Sequence, residues 1–276
     1  MSPVKIASLT IQESEPFTLI GGPCVIENEE LCFQVAETLL SLCKKFNMQL
    51  IFKASYDKAN RSSKDSYRGP GLEKGLQILS KIKSQLSIPV TTDVHTREEA
   101  KEAGQVVDLL QIPAFLCRQT DLILEAARSC KAVSVKKGQF MAPWDMGNVV
   151  EKIVSEGCQN IILIERGTSF GYQNLVSDFR SIPMMKTFGY PVCYDATHSL
   201  QLPGALQKTT GGQREYLPFL SRAALVVGAD ALFIETHPDP KNAKSDAATQ
   251  VPLDQMESLM SSFASLVALR KTWGPL

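Results

Sequence analysis

Cys24 follows an apolar run in TLIGGPCVIENEE, residues 18–30, and stands just before an acidic, helix-like segment. A thiol there is a nucleophile, a metal ligand or a small inert hydrophobe. Other apolar runs end the same way, on residues able to do chemistry. Glu27 follows the first. Lys53 and Ser55 lie on the second, ahead of the loop DKANRSS. Asp93 and His95 end the third. Gln111 lies on the fourth, with Arg118 after it. Lys136 and Lys137 lie on the fifth, and Glu165 and Arg166 end the sixth. Asp195 and His198 end the seventh, and Glu235 and His237 the eighth. All three histidines of the chain belong to this set.

Charges inside runs such as LIFKAS, VSVKKG and ILIERG are costly to bury alone, so they need anions or one another. Lys53, Lys58, Arg61, Arg118, Lys136, Lys137 and Arg166 outnumber Asp93, Glu165 and Asp195, their nearest candidates for pairing. That excess suits one or two phosphorylated substrates, because Lys and Arg hold phosphate through charge-assisted hydrogen bonds. The loop KANRSSKDSYRGPG adds hydroxyls and an amide between cations, a mixture fit for a sugar phosphate. It lacks the GxxxxGK[ST] spacing of a nucleotide-binding loop. A second set, Cys24, His198, Glu235 and Asp246, combines thiolate, imidazole and carboxylates, which suits Zn²⁺ or Fe²⁺ more than Mg²⁺. Their separation in sequence proves nothing, and a Cys24–His198 nucleophile pair and an inert thiol stand beside the metal reading.

The elements that must bring these residues together are legible as a pattern. Eight short runs are predicted as strands: residues 17–23, 49–56, 88–95, 107–115, 132–140, 160–167, 190–198 and 229–238. They are continuously apolar, as parallel strands covered on both faces are. Helical periodicity separates them in NEELCFQVAETLLSLCKKF, GLEKGLQILSKIKSQL, TREEAKEAG, TDLILEAARSC, WDMGNVVEKIVSEG and REYLPFLSRAALVVG, and PLDQMESLMSSFASLVALRKTW closes the chain as a long helix. Residues 172–189 carry the least helical signal. Eight strand–helix units suit an α/β fold of the (β/α)8 TIM barrel type, in which the strand ends converge on one catalytic face. An open doubly wound sheet is the alternative, but its GxGxxG fingerprint is missing after the first strand. No linker divides the chain, so residues 1–276 read as a single domain, with a short N-terminal β-hairpin before residue 17 closing the barrel bottom.

Composition is that of an ordinary globular protein: 44% hydrophobic, 21% charged and formal net charge zero, which gives no reason to expect nucleic acid or an anionic membrane as partner. No apolar run reaches the roughly 18 residues of a membrane span, and the N-terminus lacks the layout of a signal peptide, so a cytoplasmic location is expected. Seven cysteines without a CxxC pair argue against a disulfide framework or a zinc ribbon.

The segments GGPCVIE, KASYDKANRSS, SYRGPGLEKGL, TDVH, QIPAFLCRQTDL, VKKGQF, ERGTSFGYQNLVSDFRS, DATHS and ETHPDP together resemble the 3-deoxy-D-manno-octulosonate 8-phosphate synthase family, from about residue 17 to 270. The resemblance implies condensation of phosphoenolpyruvate with D-arabinose 5-phosphate and water, a step in lipopolysaccharide precursor (Kdo) biosynthesis. A sister synthase of the 3-deoxy-heptulosonate 7-phosphate type, using erythrose 4-phosphate, is the alternative. It typically carries a Lys-Pro-Arg-Thr type loop where this chain has Lys58-Ala59-Asn60-Arg61-Ser62-Ser63. By matching motif, Lys53, Ser55, Lys58, Gln111, Lys136 and Arg166 would surround phosphoenolpyruvate. Asn60, Arg61 and Ser62 would hold the sugar phosphate, with Arg118 reaching in from a neighbour in a homotetramer. Lys53, Asn60, His198 and Asp246 would be the catalytic residues. Cysteine rather than asparagine at position 24, and KSDAATQ around Asp246, resemble the metal-dependent branch. Cys24, His198, Glu235 and Asp246 would then hold a divalent Zn, Fe or Mn ion, and no organic cofactor is implied.

Overall fold

In the computed structural model, which describes residues 2–12, 15–61, 63–203 and 211–273, the apolar runs lie side by side as parallel strands. An N-terminal hairpin, β1 Val4–Ile6 and β2 Leu9–Ile11, precedes them. The barrel strands follow as β3 Phe17–Gly22, β4 Met48–Lys53, β5 Val90–Asp93, β6 Leu109–Ile112, β7 Val133–Lys136 and β8 Ile161–Glu165. After a small ribbon, β9 Thr168–Ser169 with β10 Leu175–Val176, comes barrel strand β11 Val192–Asp195. The pair β12 Gln201–Leu202 and β13 Gly211–Gly212 precedes the last barrel strand, β14 Ala231–His237, which β15 Val251–Pro252 flanks. Each barrel strand pairs in parallel with its sequence neighbour, and β14 pairs with both β11 and β3. That last pairing closes the sheet and removes its edges. Except for Met48 and Gln49, every barrel-strand residue is buried, which is why the runs read as continuously apolar.

Helices cover the outer face: α1 Glu29–Lys45, α2 Leu72–Leu86, α3 Arg97–Ala103, α4 Thr120–Ser129, α5 Met146–Ser155, α6 Ser181–Lys186, α7 Leu217–Val227 and α8 Met256–Lys271. In α1 the buried positions Cys32, Val35, Ala36, Leu39, Leu42 and Cys43 recur three and four apart, so one stripe faces the sheet. Its start is fixed by Asn28, whose side chain accepts the Leu31 N–H at 2.8 Å. The stretch with the least helical signal holds the β9–β10 ribbon and only six helical residues in α6. One hydrophobic core runs from Val4 to Val267, as expected of a single domain.

The hairpin lies across the barrel bottom, as the sequence predicts. Lys5 N–H donates to Asn160 Oδ1 at 2.8 Å and Ser2 N–H to the Gly189 carbonyl at 2.9 Å. Both acceptors precede the N-terminal ends of barrel strands. Among the described residues no helix is long and apolar enough to cross a membrane.

Candidate active site

The C-terminal ends of the strands and their following loops enclose a cleft of about 610 Å³. A cavity of that size accommodates two small phosphorylated molecules. Its construction begins at the β3–β4 edge. A Cβ on Gly22 would lie 1.9 Å from the Lys53 carbonyl oxygen, so only glycine lets the backbones approach this closely. The chain can then turn so that the Cys24 carbonyl accepts from Lys53 Nζ at 2.9 Å. The same ammonium donates to Glu235 Oε1 at 2.7 Å, and both side chains are almost fully buried. Glu235 is held from behind, where its N–H donates to Thr197 Oγ1 at 2.8 Å.

A second pair crosses the barrel. Lys136 Nζ lies 2.6 Å from Asp195 Oδ2 and 3.7 Å from the centre of the Phe233 ring. Asp195 also accepts from His198, through its backbone N–H at 2.9 Å and its Nδ1 at 2.9–3.0 Å. Burial alone would raise the Asp195 carboxyl, but His198 and Lys136 hold it far below the usual range. Burial, reinforced by Lys53, lowers Lys136, and burial lowers Arg166 as well. Burial opposes the charge on Lys58, yet Cys24, Glu235, Asp93 and Asp246 hold it well above the ordinary ammonium value.

The donor set proposed for a metal comes together. Cys24 Sγ, a Glu235 oxygen and an Asp246 oxygen lie within 4.8 Å of one another. Cys24 Sγ is 3.4 Å from Asp246 Oδ2. His198 Nε2 is 3.5 Å from Glu235 Oε2 and 3.6 Å from Asp246 Oδ2. Two observations show that these groups fit a cation. Among the described residues Glu235 Oε2 is buried without a hydrogen-bond partner, and a buried carboxylate oxygen left so calls for a ligand. With its Nδ1–H given to Asp195, His198 presents the Nε2 lone pair to the set, as a histidine oriented for metal does. Asp246 adopts a left-handed backbone, φ 45°, a conformation that costs energy for a residue other than glycine. The nucleophile reading of Cys24 fails on its surroundings. Burial, followed by Asp246 and Glu235, pushes the thiol well up, the opposite of an activated thiolate.

The remaining expected residues divide. Lys58, Asn60 and Arg61 line the mouth, and Gln111 and Arg166 line the interior. Ser55 is fully buried, bonded to Asp93 Oδ1. Asp93 leads on to His95 Nε2 at 3.3 Å, whose Nδ1 meets Glu99 at 3.0 Å. Ser62 lies outside the described residues. Arg118 is exposed and does not line the cleft of its own chain. Lys137 is a correction to the set of cations read from sequence. Strand alternation turns it away from Lys136, and it is fully buried, donating to Thr168 Oγ1 at 3.1 Å and to the Met141 carbonyl at 3.3 Å. Glu165 stands 3.6 Å from it.

Three uncharged residues escaped the sequence reading. Gln250 Oε1 accepts the Cys24 N–H at 3.1 Å while its Nε2 donates to the Ser245 carbonyl at 2.8 Å. Ser245 Oγ accepts from Arg61 Nη1 at 2.8 Å and lies 3.2 Å from Cys24 Sγ. Gln201 joins Arg166 to Asp246. Ser245 and Gln250 sit in a loop and Gln201 opens the two-residue strand β12, all in stretches of mixed polarity where an amide or hydroxyl gives no contrast. The KSDAATQ segment around Asp246, which contains both Ser245 and Gln250, was the available signal for those two.

A profile of the DAHP synthetase I family matches residues 3–270. The chain is 54% identical over 274 residues to the 2-dehydro-3-deoxyphosphooctonate aldolase of Protochlamydia amoebophila, covering 99% of this chain and all of that one. It is 52% identical over 268 residues to the protein of the same name from Geobacter sulfurreducens, covering 97% and 98%. With the one from Cyanothece sp. it shares 53% over 258 residues, 94% of each.

Proposed function

The chain belongs to the DAHP synthetase I family, and on that footing we propose that it condenses phosphoenolpyruvate with D-arabinose 5-phosphate and water, giving 3-deoxy-D-manno-octulosonate 8-phosphate and inorganic phosphate. The family profile covers the heptulosonate type by name; the relatives above 50% identity carry the octulosonate name, and they support the five-carbon sugar.

One observation carries the reading. Two buried guanidinium atoms of a single cleft, Arg166 Nη1 inside and Arg61 Nε at the mouth, lack any acceptor among the described residues. A site so prepared awaits two anions. Phosphoenolpyruvate is held inside by Arg166 and Lys136, with Lys53, Lys58, Ser55 and Gln111 completing its surroundings. The sugar phosphate is held at the mouth by Arg61 and Asn60, and the motif adds Ser62 to its partners. Joining two anions requires cations that hold both within reach, and burial makes the placement rigid. The bond from phosphoenolpyruvate C3 to the aldehyde carbon forms, and the aldehyde oxygen becomes a hydroxyl. Water adds its oxygen at C2 and gives up its two protons, one to the aldehyde oxygen and one to phosphate; the bond from C2 to the ester oxygen breaks, phosphate leaves with the bonding pair, and C2 becomes the keto carbon. Lys53 and Lys136 stabilise negative charge within the cleft, and the Asp195–His198 pair fixes the imidazole's tautomer. Cys24, His198, Glu235 and Asp246 hold a divalent Zn, Fe or Mn ion, which when bound supplies a Lewis acid for a carbonyl or for water.

The exposed Arg118 and the exposed Phe115 beside it support assembly into a homotetramer whose neighbouring subunit completes the sugar-phosphate subsite. The phosphorylated substrates proposed for it support a cytoplasmic location.

Phosphate release measured with phosphoenolpyruvate and each sugar phosphate in turn, before and after chelation, tests the proposal. Turnover is expected with arabinose 5-phosphate, lost to a chelator and restored by Zn²⁺, Fe²⁺ or Mn²⁺. Preference for erythrose 4-phosphate would overturn the substrate, and full activity after proven metal removal would overturn the metal.

A further inference from the structure

Gln201 follows the short helical turn His198–Leu200 and lines the cleft. Its Oε1 accepts from Arg166 Nη2 at 2.9 Å, and its Nε2 donates to Asp246 Oδ2 at 3.2 Å. The amide orientation is forced, because a guanidinium only donates and a carboxylate only accepts. Asp246 Oδ2 is also the oxygen that faces Cys24 Sγ and His198 Nε2. The amide proton of Gln201 therefore takes up one lone pair of the oxygen that a cation held by this set would use, and competes with the cation for its electron density. Its other end occupies the guanidinium that an anion in the cleft would use.

We propose that Gln201 is a positioning residue that couples the two subsites, so that an anion on Arg166 and a divalent cation on Cys24, His198, Glu235 and Asp246 each favour the other's binding. The inference rests on the metal reading above. An anion that grips Arg166 bidentately, through the acceptor-free Nη1 and through Nη2, takes Nη2 over and releases Gln201 Oε1. The amide is then free to turn, and Asp246 Oδ2 loses the competing hydrogen bond. A cation at Asp246 Oδ2 displaces Nε2–H in turn and frees the guanidinium. Linkage makes the two effects equal in size. Direct attraction between anion and cation acts in the same direction, but it survives replacement of Gln201, so the two contributions separate by mutation.

Gln201→Leu keeps similar bulk and removes both hydrogen bonds. Gln201→Asn keeps an amide too short to bridge. Co²⁺ affinity is measured by the absorption of its thiolate complex, with and without phosphoenolpyruvate, in the native chain and both variants. In the native chain phosphoenolpyruvate is expected to tighten Co²⁺ binding by about tenfold, within the usual range of coupling between sites. Without phosphoenolpyruvate both variants are expected to bind Co²⁺ more tightly than the native chain, by roughly threefold, because the competing donor is gone. Addition of phosphoenolpyruvate then tightens binding in the variants by less than about threefold, from the direct attraction alone. A purely structural role predicts the opposite sign, weaker Co²⁺ binding in the variants. Weaker binding, or native-size coupling in both variants, would overturn the inference. If the native chain itself gives no thiolate–Co²⁺ absorption, the metal reading falls instead.

Discussion

At the scale of single residues, the site is a chain of charge pairs whose members were visible one by one. Lys53 and Glu235 lie 182 positions apart, yet each was marked by a charge at the end of an apolar run. Lys136 and Lys137 show where that signal stops, since both carried it and only the first lines the cleft. The group with the clearest pH signature is His95. Burial opposes its charge, but Asp93 and Glu99 raise it from 6.5 to about 9. Because the folded value is the higher one, its contribution to stability is fully present below about pH 6.5 and is lost as pH rises through about 9. Glu99 is shifted the other way, to about 2, against burial, by His95 and Tyr56. Its contribution is present above 4.5 and lost as pH falls through about 2. Denaturant unfolding of the native chain and Glu99→Gln between pH 6 and pH 10 is expected to show the native advantage shrinking by roughly 1–2 kcal/mol, only part of the full shift, because Asp93 still raises His95 in the variant. An advantage independent of pH would contradict the assignment.

At the scale of elements, strands act as rails that deliver these residues, and their ends are where precision is set. Gly22 pairs with Glu235 in the β14–β3 register and meets the Lys53 carbonyl on its other side. A methyl group there has no space, so Gly22→Ala is expected to cost about 3 kcal/mol by overpacking. It should also weaken cation binding, because Cys24 is two residues on. Thermal unfolding and a Co²⁺ titration check both effects, and a variant equal to the native chain in each would show that the strand end yields without consequence. The strands and helices were legible because their periods are set by backbone geometry. The β9–β10 ribbon was not, since two-residue strands leave no period to detect.

At the scale of the whole molecule, closure of the barrel is the decisive event. The β14–β3 pairing joins the two ends of the chain and sets Cys24 beside Asp246, 222 positions away. Assembly is the next level. If Arg118 serves a neighbour's site, mixing Arg118→Ala chains with Arg61→Ala chains should restore activity. Each variant alone is expected to lose most of its turnover of the sugar phosphate. Mixed assemblies contain sites with a native Arg61 from one chain and a native Arg118 from another. Steady-state turnover after unfolding and refolding the mixture measures this, and a mixture no better than its components would place Arg118 in its own chain's site. By itself the sequence determined the order of strands and helices, the polar residues at the strand ends and the resemblance to a family, because these follow from local period, contrast and motif. Only the tertiary structure decided that Cys24, His198, Glu235 and Asp246 converge, that Lys137 turns to Glu165, and that Gln201 and Ser245 link the cations to the candidate ligands. Those relations depend on strand alternation and on the register of barrel closure, which join residues with no proximity along the chain.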